Sequence, residues 1–109
     1  MAETPSTNED KIRSFWDRYI QRLYESGVKS PFDRWMVVRA EQYIAAHPDR
    51  LLADQTPADV NAYLADLGRK TGLKAWQFHQ AVDAIQKLFE LVGVNWLGEV
   101  NLAYWRDSA

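Results

Sequence analysis

Thr71-Gly72-Leu73-Lys74-Ala75-Trp76-Gln77-Phe78-His79-Gln80-Ala81-Val82-Asp83-Ala84-Ile85-Gln86-Lys87-Leu88-Phe89 is the stretch whose reading decides the fold. Phe78, Val82, Ile85 and Phe89, continued by Val92, recur at the spacing of one helical face, with Ala81 and Leu88 beside them. Trp76, Gln80, Asp83 and Lys87 follow the same spacing on the opposite face. The first face predicts a buried helix ending near Gly93. An indole on the second face, pointing away from the core, asks for a surface function or a covering segment.

Three more helices are predicted upstream. Ile12, Phe15, Trp16, Tyr19, Ile20, Leu23 and Tyr24 make an apolar stripe over about residues 9–26, with Asn8 able to cap its start and Gly27 suited to its stop. Ser30 and Pro31 signal the start of a second helix reaching to about Ala46, with Phe32, Met36, Ala40, Tyr43 and Ile44 facing inward and Pro48 ending it. Thr56 and Pro57 repeat the cap-then-proline signal and open a short third helix carrying Val60, Tyr63, Leu64 and Leu67. Gly68 and Gly72 bracket a basic turn with Arg69 and Lys70. Residues 95–109 contain Trp96, Tyr104 and Trp105, too aromatic for a free linker, so this tail either packs back on the bundle or meets a partner. The expected class is all-α, a compact bundle of about four helices with an aromatic C-terminal tail.

Composition narrows the function classes. A chain of 109 residues, 47% apolar and 26% charged, supports one globular domain with a modest core. It has no cysteine, which excludes disulfides and thiolate metal sites and fits a cytoplasmic setting. No apolar run reaches the ~18 residues of a membrane span, and the polar, acidic start does not read as a targeting peptide. The net charge of −2 argues mildly against nucleic acid, but charge is uneven. Between Lys29 and Arg50, four basic residues face three acidic ones, so a small basic face on an acidic body is compatible with the total.

No catalytic constellation assembles from the sequence, and no cofactor or metal is implied. His47 and Arg50 have an H-x-x-R spacing, but Pro48 places them at a helix end without partners, where His47 suits the negative end of the helix dipole. Asp59 and Asp66 read as a solvated helical face rather than an acid–base pair.

Two surfaces suggest binding. Trp76, Gln77, His79 and Gln80 open a helix preceded by Lys74, Lys70 and Arg69. Glutamine can pair with adenine, basic groups neutralise phosphates, and free N–H groups at a helix start favour an anion. Equally, polar residues in a first turn are ordinary, and Trp76 can cover the bundle end or the tail. Lys29, Ser30, Arg34, Trp35 and Arg39 form the second candidate. Five residues separate the two arginines, about 140° on a helix, so they flank a surface rather than share its centre. A solvated helical face explains them too.

The order of features from Ile12 to Val92 resembles the N-terminal, SAM-like core-binding domain of tyrosine recombinases, the phage and integron integrases. The resemblance rests on residues 15–23 (FWDRYIQRL), 27–31 (GVKSP), 59–67 (DVNAYLADL) and 76–89 (WQFHQAVDAIQKLF). It covers about three quarters of the chain, and its specificity lies in order and spacing. It implies an orthogonal four-helix bundle that clamps double-stranded DNA while a separate domain cuts the strands and other recombinase protomers assemble beside it. By this resemblance Arg34, Trp35 and Arg39 lie at or beside DNA from the second helix, together with Lys29 at its start. Trp76, Gln77, Gln80 and Lys87 face it from the fourth, and Lys74 lies near phosphate. Trp76 departs from the small, polar or basic residue expected there, which favours backbone contact over base reading. The resemblance further implies a disordered arm over 1–8, the helical domain over 9–93 and the start of an interdomain linker over 94–109, with no catalysis by these residues alone. An alternative reading is a protein-interaction module docking a partner on exposed Trp76, Trp96 and Trp105.

Overall fold

In a computed structural model the chain is all-helical. The structure describes residues 8–70 and 72–107, and the side chains from residue 10 onward. The predicted N-terminal arm therefore falls outside it except for Asn8, whose backbone starts the first helix, and the proposed cap by the Asn8 side chain also lies outside the described residues. The helices are α1 (Asn8–Glu25), α2 (Phe32–Ala45), α3 (Pro57–Gly68), α4 (Ala75–Val92) and a short α5 (Leu102–Asp107). Single 3-10 turns sit at Leu52–Asp54 and Leu97–Glu99.

Local chemistry sets the helix ends. Gly27 adopts φ +92°, the Gly27 N–H donates to the Tyr24 carbonyl at 3.0 Å, and the Val28 N–H reaches the Leu23 carbonyl at 2.9 Å. This paired closure needs a left-handed residue, which glycine supplies without a Cβ penalty. At α3 the Asp59 carboxylate accepts from the Thr56 backbone N–H at 2.8 Å and from its hydroxyl at 3.1 Å. Asp59 thus serves the cap that Thr56 signalled, where the sequence suggested only a solvated acid. At α2 helical geometry starts one residue later than Pro31 suggested, with the Lys29 carbonyl accepting from the Phe32 N–H at 2.8 Å.

α4 is the central element. Phe78, Ala81, Val82, Ala84, Ile85, Leu88 and Phe89 are all buried. They pack with Tyr19 and Leu23 of α1, Met36, Ala40 and Tyr43 of α2, and Val60, Leu64 and Leu67 of α3. Two tyrosines are tied inside by their hydroxyls. Tyr19 Oη donates to the Ala84 carbonyl at 2.8 Å, and Tyr43 Oη donates to Gln55 Oε1 at 2.5 Å. Burial pushes both phenols above their ordinary value, so both remain donors.

The apolar stripes run past the core at their ends. Ile12, Tyr24 and Phe32, predicted inward, are exposed, because none of the described residues packs fully over the first turns of α1 or over the α1–α2 corner. Tyr24 Oη instead donates to Asp33 Oδ2 at 2.7 Å across that corner. The aromatic tail folds onto the bundle. Trp96 packs against Phe89 with ring centres 5.0 Å apart, Val100 is buried, and Trp105 lies against Phe78 at 6.3 Å. Trp105 Nε1 also donates to Asn61 Oδ1 at 2.9 Å. Residues 94–107, expected to open a linker, therefore pack as part of the same unit.

Candidate nucleic-acid interface

Amphipathicity of α4 creates the site. With Phe78, Val82, Ile85 and Phe89 turned into the core, the opposite face has to present Trp76, Gln80, Asp83 and Lys87 outward. The α1–α2 turn and the first turns of α2 stand beside that face. Between them lies an open groove of about 760 Å³. Its walls are Ser26 to Lys29 of the turn, Phe32 and Met36 of α2, the α4 residues Trp76, His79, Gln80, Asp83, Gln86 and Lys87, and Arg106 of α5.

Lys29 of one candidate surface, Trp76 and Gln80 of the other, and Lys87 of the same α4 stripe thus meet in one groove. Arg39 joins its margin, with Nε 3.4 Å from Gln80 Oε1 and one Nη 3.4 Å from Gln42 Oε1. Trp35 is half exposed and lies one helical turn before Arg39, outside the groove wall.

Three other predicted residues stand apart. Gln77 Oε1 accepts from the Lys74 backbone N–H at 2.8 Å, closing the start of α4, so its carbonyl is occupied by the helix rather than offered to a base. Lys74 borders a separate hollow with Arg69, Phe78, Tyr104 and Trp105. Arg34 lies on the other flank of α2, in a shallow depression with Ile20, Val37 and Glu41, as the 140° separation from Arg39 required.

Among the described residues the groove is lined by three fixed cations, Lys29, Lys87 and Arg106, and one carboxylate, Asp83. Lys87 Nζ lies 3.4 Å from Glu90 Oε1, which also takes Arg22 at 3.3 Å, while Gln86 Nε2 donates to the other carboxylate oxygen at 2.9 Å. Burial of Glu90 works against its charge, but the Gln86 hydrogen bond, Lys87 and Arg22 together outweigh it and hold the carboxyl below its usual range. Arg106 is the residue that sequence reading missed. It follows Tyr104 and Trp105, and only a helical tail docked through those rings brings it to the groove.

His47 and Arg50 serve the fold. His47 Nδ1 lies 2.9 Å from the Tyr43 carbonyl, and its ring clusters with those of Tyr43 and Tyr63, at 4.5 and 6.0 Å. Arg50 donates to Asp59 Oδ1 at 2.9 Å and to the Asp54 carbonyl at 2.7 Å, bracing the start of α3. The H-x-x-R spacing is thereby accounted for by helix-end contacts.

The tryptophans of the alternative reading divide. Trp96 and Trp105 are partly buried against the core and are not available as the exposed anchors that reading assumed, because Phe89 and Phe78 cover one face of each. Trp76 is 57% exposed and Trp35 50%. Among the described residues no three His, Cys, Asp or Glu side chains gather into a metal-binding group, and no helix is long and apolar enough to cross a membrane. No family model, curated protein or solved structure matches this chain.

Proposed function

We propose that this chain binds duplex DNA through the groove between the α1–α2 turn and α4, as the core-binding helical domain of a site-specific tyrosine recombinase. In that role it holds the DNA arm, other protomers of the recombinase assemble around the same DNA, and strand cleavage belongs to a separate domain. The observation that carries the reading is the meeting of Lys29 and Lys87 in one open groove with an exposed Trp76 on its wall, the Asp83 carboxylate there being paired with Arg106. Fixed cations beside an indole suit a sugar–phosphate backbone, with the cations on phosphate oxygens and the ring against deoxyribose. Gln80 stands in the groove with its Oε1 accepting from Arg39, so it is held by that cation rather than pointed freely at a base. The function is therefore backbone clamping first and sequence reading second. The helix order and the motifs at residues 15–23 and 76–89 support the family assignment.

Titration of the protein into a short fluorescent duplex at several salt concentrations tests the proposal. Binding should be micromolar or weaker at moderate salt, and log K should fall linearly with log salt. Lys29→Gln and Lys87→Gln should each lower the slope by about one. A salt-independent affinity, or no response to either substitution, contradicts it. A protein-docking role is the second reading, favoured by the exposure of Phe32, Trp35 and Trp76 around α2 and α4. It predicts Trp35- and Trp76-dependent binding that is insensitive to salt.

A further inference from the structure

Asp83 is out of place on a phosphate-facing surface. It lies on the α4 face between Gln80 and Lys87 and is the one carboxylate lining the groove among the described residues. An unopposed carboxylate there repels every phosphate that Lys29 and Lys87 attract. The structure supplies its counter-charge from far along the chain. Arg106 of α5 places both Nε and Nη2 at 2.7 Å from Asp83 Oδ1, and Nη2 also hydrogen-bonds Gln86 Oε1. The neighbouring residue holds Arg106 at this position, since Trp105 is bound to Asn61 and packed on Phe78. The pair is part-exposed on both sides, and exposed pairs contribute little to stability. Its consequence is in the local field, where it offsets the Asp83 charge while leaving Lys29 and Lys87 to act.

We infer that α5 is a charge cap of the DNA groove, with Arg106 neutralising Asp83 so that phosphate binding depends on docking of the C-terminal helix. The inference rests on the proposed DNA-binding function and adds a control to it. Displacement of α5 uncovers Asp83 and weakens the clamp. The C-terminal segment thereby couples whatever pulls on it to DNA affinity.

The test compares wild type, Arg106→Gln, Asp83→Asn and the double variant in binding to the short fluorescent duplex at low salt, with thermal melting and tryptophan emission reporting the state of α5. Arg106→Gln should bind about fivefold more weakly, Asp83→Asn about twofold more tightly, and the double variant within about twofold of Asp83→Asn. Rescue by Asp83→Asn reads the charge itself, so it holds even where Arg106→Gln loosens α5. An Arg106→Gln variant that binds like wild type overturns the cap. So does a double variant as weak as Arg106→Gln, which makes Arg106 a direct phosphate ligand. Wild type without affinity for DNA overturns the binding function and the cap with it, whereas the first two results leave the binding function standing.

Discussion

Asp59 closes several contacts at one point. It accepts from the Thr56 N–H and hydroxyl and from Arg50, which itself holds the Asp54 carbonyl. Asp59→Ala should destabilise the fold by about 1–2 kcal/mol in chemical denaturation, the range of a lost helix cap with an attached ion contact. Burial opposes its ionisation, but the two Thr56 hydrogen bonds and Arg50 prevail and lower its carboxyl below the usual value, as Gln86, Lys87 and Arg22 do for Glu90. A carboxyl lowered in the folded state adds stability above its unfolded value, about 4, and loses it as pH falls through the folded value. Stability should therefore decline on acidification below about pH 4, and the decline should be shallower for Asp59→Asn. The buried pair Tyr43–Gln55 makes a second prediction at this scale. Gln55 is 2% exposed and its Nε2 has no hydrogen-bond partner among the described residues, so its side-chain hydrogen bonding there rests on the carbonyl end. Tyr43→Phe should cost about 1–3 kcal/mol by orphaning that carbonyl. Joining it with Gln55→Met, which fills similar volume without polar atoms, should cost less than the sum of the two single changes.

Among the elements, α4 was the most legible and α5 the least. The 3.6-residue period of Phe78, Val82, Ile85 and Phe89 defines both the buried face and, by elimination, the groove face, and all four are buried. Thr56-Pro57 and Gly27 marked helix ends because their chemistry is local. The helix α5 has six residues and no period to read, and its place depends on Asn61, Phe78 and Asp83, far away in sequence. The same limit explains why Lys29 and Lys87 looked like members of separate surfaces. Their meeting is a consequence of packing α2 against α4, which spacing along one helix does not encode. The ends of the stripes misled for the opposite reason. Ile12 and Phe32 keep the helical period, but the bundle is shorter than the helices there. Leu88→Ala, in the middle of α4, should lose about 2–5 kcal/mol as a buried cavity opens. Trp105→Ala should lose less overall but raise hydrogen exchange selectively over 94–107, because it releases the tail from Phe78 and Asn61 while α1–α4 keep their core.

For the whole molecule, the chain combines a mildly acidic total with an α4 groove in which cations outnumber carboxylates among the described residues. Such an arrangement favours weak, salt-sensitive binding at one face over general affinity for polyanions. The four helices read from the sequence are observed as α1 to α4, with the tail added as a fifth element that borders the groove. Titrating the isotope-labelled chain with a short duplex, followed by amide and side-chain NMR shifts at low and high salt, separates a single DNA face from diffuse contact. Shifts should concentrate at Lys29, Phe32, Trp76, Gln80 and Lys87 and fade together as salt rises. Shifts absent from those positions, or centred instead on the apolar cleft formed by Ile12, Phe15, Trp16 and Ile44, would contradict the assignment of the α4 groove as the DNA interface.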